Sequence, residues 1–349
     1  MTSTRNRILV ATSLVALAGI ATAQNSAAPA KTADKQWVAP GTPGSDIDGT
    51  VFHAQVLLNA NGFSTGVIDG KAGMVNDKAI KGFQEARGLQ VSGKLDQPTR
   101  AALLQNNRPS TVMVKLTGDD ISGSYVYPFP TKPEAQAKLK YMAYRNMIEE
   151  VAERYHTTPR TLVALNGPTA LIGIGKTLRL PNVIPKARDY ASSSDDKAKA
   201  IMAKLNVDSN QPAGDHIVVD KSEGVLKVMD AADKLVAQFP VTTGSSHDPL
   251  PLGNWKVTTY SFLPPFHYQP DLFWDVADSK DEQRLPPGPN GPVGVAWLDL
   301  TKDHYGIHGT SAPETIGRAE SHGCLRLTNW DVLRLSQMLK PGFKAVFQA

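Results

Sequence analysis

The apolar residues change their spacing along this chain, and that change forces it into separate folding units. From about residue 48 to 107 they recur at helical intervals, and from 215 to 348 they fall in short β-rich runs broken by Gly and Pro. A stripe repeating every three to four residues suits a helix, whereas alternation every two suits a strand. At 349 residues the chain is long enough for two or three compact units. The expected fold class is therefore multidomain α+β: a small three-helix bundle, a small αβ module and a mostly β domain.

In the first unit, residues 48–107, Phe52, Val56, Leu57 and Ala60 share one helical face that ends at Asn61-Gly62. Asp77 is placed to cap a second helix that turns Ala79, Ile80, Phe83 and Ala86 inward, with Gly88 as its stop. Asp96 is placed to cap a third, with Pro98 in its first turn and Ala101, Leu103 and Leu104 to bury. Residues 108–185 form a second unit. It has a strand at Val112–Leu116, a helix carrying Met147, Ile148, Val151, Ala152 and Tyr155, and another capped by Thr158 ahead of Pro159; a short strand ends at Pro181. Residues 186–214 are poor in apolar side chains and are expected to be a linker, with room for a short helix near Ile201–Leu205. In the last unit, 215–348, strand-like runs surround His216–Asp220, Val225–Met229, Leu235–Val241, Trp255–Tyr260 and Val295–Leu300. One late helix follows, from Trp330 to Leu339, with Asn329 as its expected cap.

The first residues predict export. Arg5 and Arg7 precede an apolar run from Ile8 to Ala18, and Ala21-Thr22-Ala23 supplies the small-x-small pattern that a signal peptidase accepts. Residues 1–23 are thus expected to be a signal peptide and 24–47 a flexible linker, with no transmembrane segment after cleavage. Of the net charge of +4, Arg5 and Arg7 account for two. The remaining basic residues are scattered, which argues against a nucleic-acid partner.

The chain has a single cysteine, Cys324. In an oxidising compartment a lone thiol forms no internal bridge, so it is either an inert buried residue or a group kept for chemistry. Its neighbours favour chemistry. His308-Gly309-Thr310 lies sixteen residues upstream, and Cys324 itself sits in Ser321-His322-Gly323-Cys324-Leu325-Arg326. A free thiol, with a pKa of about 8.5, is only slightly ionised at neutral pH. A nearby imidazole raises that ionised fraction and later returns the proton to a leaving amine. Gly323 lets backbone N–H groups approach a developing oxyanion with no side chain in the way. Two other possibilities stand beside this one. His304, His308 and His322 could be read as zinc ligands, although the spacing lacks the Glu of zinc-protease helices. The last unit could also be a relic without catalytic activity.

Several motifs resemble known families. Gln55-Val56-Leu57-Leu58, Gly62-Phe63, Val67-Ile68-Asp69-Gly70, Ala79–Gln84 and Gly88–Gly93 are similar to the three-helix peptidoglycan-binding domain, which implies cell-wall binding beside the Asp69-Gly70 loop. Ala152–Tyr155, Leu165-Asn166 and Leu178–Pro181 resemble a degenerate LysM module, a glycan binder in its own family. His308-Gly309-Thr310, Ile316-Gly317 and Ser321–Arg326, together with Pro251–Trp255 and Leu285–Gly294, resemble the L,D-transpeptidase (YkuD-type) catalytic domain. Gly291 departs from that family's loop, where Asn is commoner. The resemblance implies Cys324 as nucleophile and His308 as base then acid, its ring oriented by the Gly309 carbonyl. It implies an oxyanion hole from the N–H groups of His322, Gly323 and Cys324, with the His322 side chain holding the loop. Arg326 would position the loop or a substrate carboxylate, and Ser321 would support it by hydrogen bonding. It further implies peptidoglycan tetrapeptide stems and glycan as partners, with a lipoprotein lysine as an alternative acceptor. No cofactor or metal is implied, acylation by carbapenems is expected, and the location is the periplasm or cell envelope.

Overall fold

The computed structural model describes residues 47–121, 123–190, 193, 195–276 and 280–349. The expected signal peptide, and all of the spacer up to residue 46, lie outside the described residues.

The first helix, α1 (Gly49–Ala60), starts at Asp48, whose carboxylate accepts from the N–H groups of Thr50 and Val51. Helices α2 (Met74–Ala86) and α3 (Gln97–Leu104) complete the bundle, and Asp96 caps α3 through Thr99 N–H. Asp77 is not a cap. Helix α2 begins at Gly73, and Asp77 lies inside its first turn, where a carboxylate favours the positive end of the helix dipole. Ala60 and Ala101, expected inside, are exposed. Leu57, Leu58, Phe63, Ile80, Phe83 and Leu103 form the bundle core, with Phe63 meeting Phe83 edge-on at 5.6 Å.

The middle unit runs β1 (Thr111–Lys115), the one-turn α4 (Pro133–Gln136), α5 (Met147–Arg154), α6 (Pro159–Asn166) and β2 (Thr177–Pro181). Strands β1 and β2 pair antiparallel, Thr111 opposite Pro181. Phe52, Val56 and Ile68 of the bundle pack among Val151, Tyr155, Leu162 and Leu180. Helix α1 is therefore apolar on two faces because it serves two cores.

Residues 186–214 are not a loose linker. Helix α7 (Asp196–Lys204), capped by Asp195, joins Tyr190, Leu205 and Val207 in the core of the last unit through Ala198, Ile201 and Met202. These apolar residues keep helical spacing, but the polar residues around them dilute the signal.

The last unit is built on eight strands: β3 (His216–Asp220), β4 (Val225–Met229), β5 (Leu235–Pro240), β6 (Gly253–Phe262), β9 (Ala296–Leu300), β10 (Gly306–His308), β11 (Leu325–Arg326) and β12 (Lys344–Gln348). A separate hairpin, β7 (Phe266–Tyr268) with β8 (Gln283–Leu285), stands between β6 and β9 in sequence. The sheet order is β11-β10-β9-β6-β12-β3-β4-β5, so the final strand closes the middle of the sheet. Helix α8 (Asn329–Met338) buries Trp330, Val332, Leu333, Leu335 and Met338 against it. Its cap is Thr328, which accepts from Asp331 N–H; Asn329 is the first helical residue and its side chain is used elsewhere.

The bundle covers the β5 edge of this sheet. Gln238 N–H donates to the Gly62 carbonyl, Ser64 N–H donates to the Gln238 carbonyl, and the Gln238 side chain donates to the Lys78 carbonyl. An edge that would otherwise invite pairing with another chain is thus closed from within. Behind it, Arg334 is buried and donates to the Asn59 side chain (2.9 Å) and carbonyl (3.0 Å), while Ser64 donates to Asp331 (2.6 Å). Arg334→Ala would leave the fully buried Asp331 without its cation. We expect a loss of about 3–5 kcal/mol in urea unfolding, the usual cost of orphaning a buried charge; a loss below about 1 kcal/mol would mean the contact is incidental.

Candidate active site

His308 ends β10, which lies between β9 and β11. Its register partners are Trp297 on β9 and Arg326 on β11, the β10–β11 pair being parallel. Paired residues point to one face, and residues two apart along a strand share it. Cys324, two residues before Arg326, therefore opens on the same face as Arg326 and His308. All three line one cleft of about 1070 Å³, with Trp297, Tyr305 and His322 among its other walls.

The loop before Cys324 is laced to residues 242–245. Ser321 N–H donates to the Thr243 carbonyl and Ser245 N–H to the Ser321 carbonyl, while Arg326 and Thr242 exchange two backbone bonds of 3.0 Å. Ser321 Oγ donates to the Cys324 carbonyl at 2.7 Å. Gly323 has φ +98°, and a Cβ there would sit 2.6 Å from the Tyr305 ring. Only glycine fits both the conformation and the space. Among the described residues no hydrogen bond takes up the N–H groups of His322, Gly323 or Cys324. The loop therefore has donors to spare for an oxyanion.

Burial dominates the electrostatics. His308 is buried, and this pushes its pKa down to about 3, with the Arg326 charge adding to the shift and the Gly309 carbonyl opposing it. Nδ1 lies 2.7 Å from the Gly309 carbonyl. That bond assigns the proton to Nδ1 and leaves Nε2 as the acceptor. The Trp297 ring stacks on the imidazole at 5.5 Å. Cys324 is half-buried; burial pushes its thiol up, opposed by the Gly306 N–H and by Arg326. Its Sγ lies 3.6 Å from the His304 carbonyl.

These shifts favour a resting pair of neutral thiol and neutral imidazole. The sequence-based expectation of a larger resting thiolate fraction is not what this environment supports. A consequence is a flat pH profile. Neither group titrates between pH 5 and 8, because His308 is neutral above about 3 and the thiol is raised. The rate of Cys324 acylation should vary less than about threefold over that range. A tenfold fall for each unit below 6.5 would instead indicate a histidine with an ordinary pKa.

The His322 ring has Nε2 3.1 Å from Asp275 and a T-shaped contact with Phe273 at 5.1 Å. His304, His308 and His322 do not converge. His304 has a left-handed backbone (φ +65°), and among the described residues no three His, Cys, Asp or Glu side chains are grouped to hold a metal. Trp297, Tyr305, Asp275 and Phe273 were not singled out in the sequence. Trp297 had a faint signal, as an aromatic in a β-rich run close before His308; Asp275 had none.

Comparison with known proteins follows the same division. Residues 214–347 match the family model described as "L,D-transpeptidase catalytic domain", and residues 48–103 the one described as "Putative peptidoglycan binding domain". A relative in Bacillus licheniformis, "Putative L,D-transpeptidase YkuD", is 54% identical over 56 residues, covering 16% of this chain and 34% of the relative. A Bacillus subtilis protein, "Putative L,D-transpeptidase YqjB", is 27% identical over 141 residues, covering 39% of this chain and 72% of that protein. The chain thus spans about a third of the length of the YkuD relatives it matches. Among solved structures, an L,D-transpeptidase from Xylanimonas cellulosilytica covers 90% of this chain and 98% of its own at 14% identity and TM-score 0.35. One from Mycobacterium smegmatis covers 38% and 58% at 18% identity and TM-score 0.31.

Proposed function

We propose that this chain, which carries an L,D-transpeptidase catalytic domain behind a peptidoglycan-binding domain, cross-links peptidoglycan stems through a thioester on Cys324. The observation that carries the proposal is the placement of Cys324, His308 and Arg326 on one face of β10–β11, lining a single cleft. His308 Nε2 takes the thiol proton as Sγ attacks the carbonyl of the third residue of a tetrapeptide stem. The oxyanion is met by the N–H groups of the His322–Cys324 loop. As the tetrahedral intermediate collapses, the C–N bond breaks and His308 returns the proton to the departing D-Ala amine. The acyl group stays on sulfur, so the energy of the broken bond is kept and no nucleotide is needed. An acceptor amine then loses its proton to His308, attacks the thioester and restores the thiol.

Arg326, half-buried beside the sulfur, suits a stem carboxylate because a guanidinium offers paired donors. Peptidoglycan is the partner, and the cell envelope or periplasm is the place of work. Setting aside the one-turn α4, the β-α-α-β order of the middle unit supports its assignment as a LysM-like, glycan-facing module. Water or a lipoprotein lysine would serve the same thioester as acceptor, giving carboxypeptidase or lipoprotein attachment.

Purified protein incubated with disaccharide-tetrapeptide should yield a dimer lacking one D-Ala, detected by mass spectrometry. Loss of D-Ala without dimer would move the assignment to hydrolysis or to another acceptor. No product with any acceptor would leave a wall-binding protein.

A further inference from the structure

Helix α5 of the middle unit carries two carboxylates one turn apart, Glu149 and Glu153, and both grip the catalytic domain. Glu149 Oε1 accepts from Asn290 Nδ2 at 3.2 Å, and Glu153 Oε1 accepts from Asn329 Nδ2 at 2.6 Å. Asn329 is fully buried, and Glu153 is only 6% exposed. The Asn329 amide also donates to the Pro289 carbonyl at 3.3 Å, and its Oδ1 accepts from Val295 N–H at 3.0 Å.

That oxygen lies against the strand that carries the base. A Cβ on Gly294 or on Gly309 would come within 2.0 Å of it, so both glycines let the backbone close around the amide. Gly309 is anchored by its N–H to the Ala296 carbonyl at 3.2 Å, one residue beyond Val295. Its own carbonyl holds His308 Nδ1 at 2.7 Å. A continuous run of contacts therefore leads from Glu153 through Asn329 and Gly309 to the imidazole.

A buried carboxylate here carries a cost that an apolar residue of the same volume would avoid. Burial, with Glu149 nearby, pushes Glu153 up to about 7, while Tyr144, Asn329 and Lys204 pull it down. We propose that Glu153 is a positioning residue for the catalytic base: it fixes the Asn329 amide, which seats the Gly309 carbonyl against His308 Nδ1. The middle unit then belongs to the catalytic apparatus as well as to any wall contact. The proposal rests on His308 acting as the base in the reaction proposed above.

The test compares Glu153→Met, which keeps volume and removes the acceptor, with Glu153→Gln, which keeps an acceptor oxygen. Two quantities are read: turnover of disaccharide-tetrapeptide, and the rate of Cys324 alkylation by iodoacetamide from pH 5 to 9. Alkylation needs no substrate, so it reports on the base even if the transpeptidase assignment fails. Glu153→Met should fold, lose about tenfold in kcat with KM within twofold, and alkylate about tenfold more slowly at pH 7. Its alkylation should also rise with pH as an unassisted thiol does. Glu153→Gln should stay within about twofold of the parent in both readouts. A folded Glu153→Met with parental kcat and alkylation profile would overturn the proposal, leaving Glu153 as domain glue. Should that variant not fold, Asn329→Ser, too short to bridge Glu153 and Val295, decides by the same two readouts.

Discussion

Replacing His308 with Ala is expected to slow Cys324 acylation by about a thousandfold, within the span attributed to general acid–base groups. The expectation follows from what the imidazole does and from what it does not do. Among the described residues its side chain makes one hydrogen bond, Nδ1 to the Gly309 carbonyl, and the Trp297 ring stacks on it. Strand β10 is paired through its backbone on both sides, so the sheet should survive the change. Because the buried thiol is pushed up, little thiolate forms without a base at neutral pH. D-Ala release under single-turnover conditions measures the loss directly. A loss smaller than tenfold would mean that proton transfer does not depend on His308. Raising the pH should recover part of the lost rate in the variant, whereas the parent stays flat.

Gly323→Ala should cost about a hundredfold or more in the same assay while the protein still folds. The new methyl meets two obstacles: a backbone φ of +98° and the Tyr305 ring 2.6 Å away. The conformational part costs about 1–3 kcal/mol in stability. The larger effect is on chemistry, because the N–H groups of residues 322–324 must move for the methyl to be accommodated. Loss of one well-aimed oxyanion donor typically costs about 10²–10³ in kcat. Thermal unfolding and turnover measured on the same preparation separate the two effects. A fall in melting temperature with unchanged turnover would remove these N–H groups from the mechanism.

The sequence was legible where a local rule applied. Asp96 and Thr158 cap helices because short oxygen-bearing side chains ahead of an apolar stripe can do little else as well. His308 and Cys324 stood out because thiol, imidazole and glycine occurred together near the end of a β-rich stretch. Where tertiary packing decides, legibility ended. Asn329 looked like a cap, yet its amide is spent on Glu153 and Val295, and Thr328 does the capping. Residues 186–214 looked like a linker because α7 sets few apolar residues among many charges; its burial comes from a sheet far away in sequence. No local pattern could pair Glu153 with a residue 176 positions on. The shifts that disfavour the charged forms of Cys324 and His308 were equally hidden, since they depend on burial rather than on composition.

The most direct test of the account is the intact mass of the protein quenched in acid during turnover of disaccharide-tetrapeptide. A covalent adduct equal to the substrate less D-Ala, located on Cys324, cleaved by hydroxylamine and absent in Cys324→Ala, is the predicted result. Turnover without any adduct, or with an adduct that persists in Cys324→Ala, would contradict it.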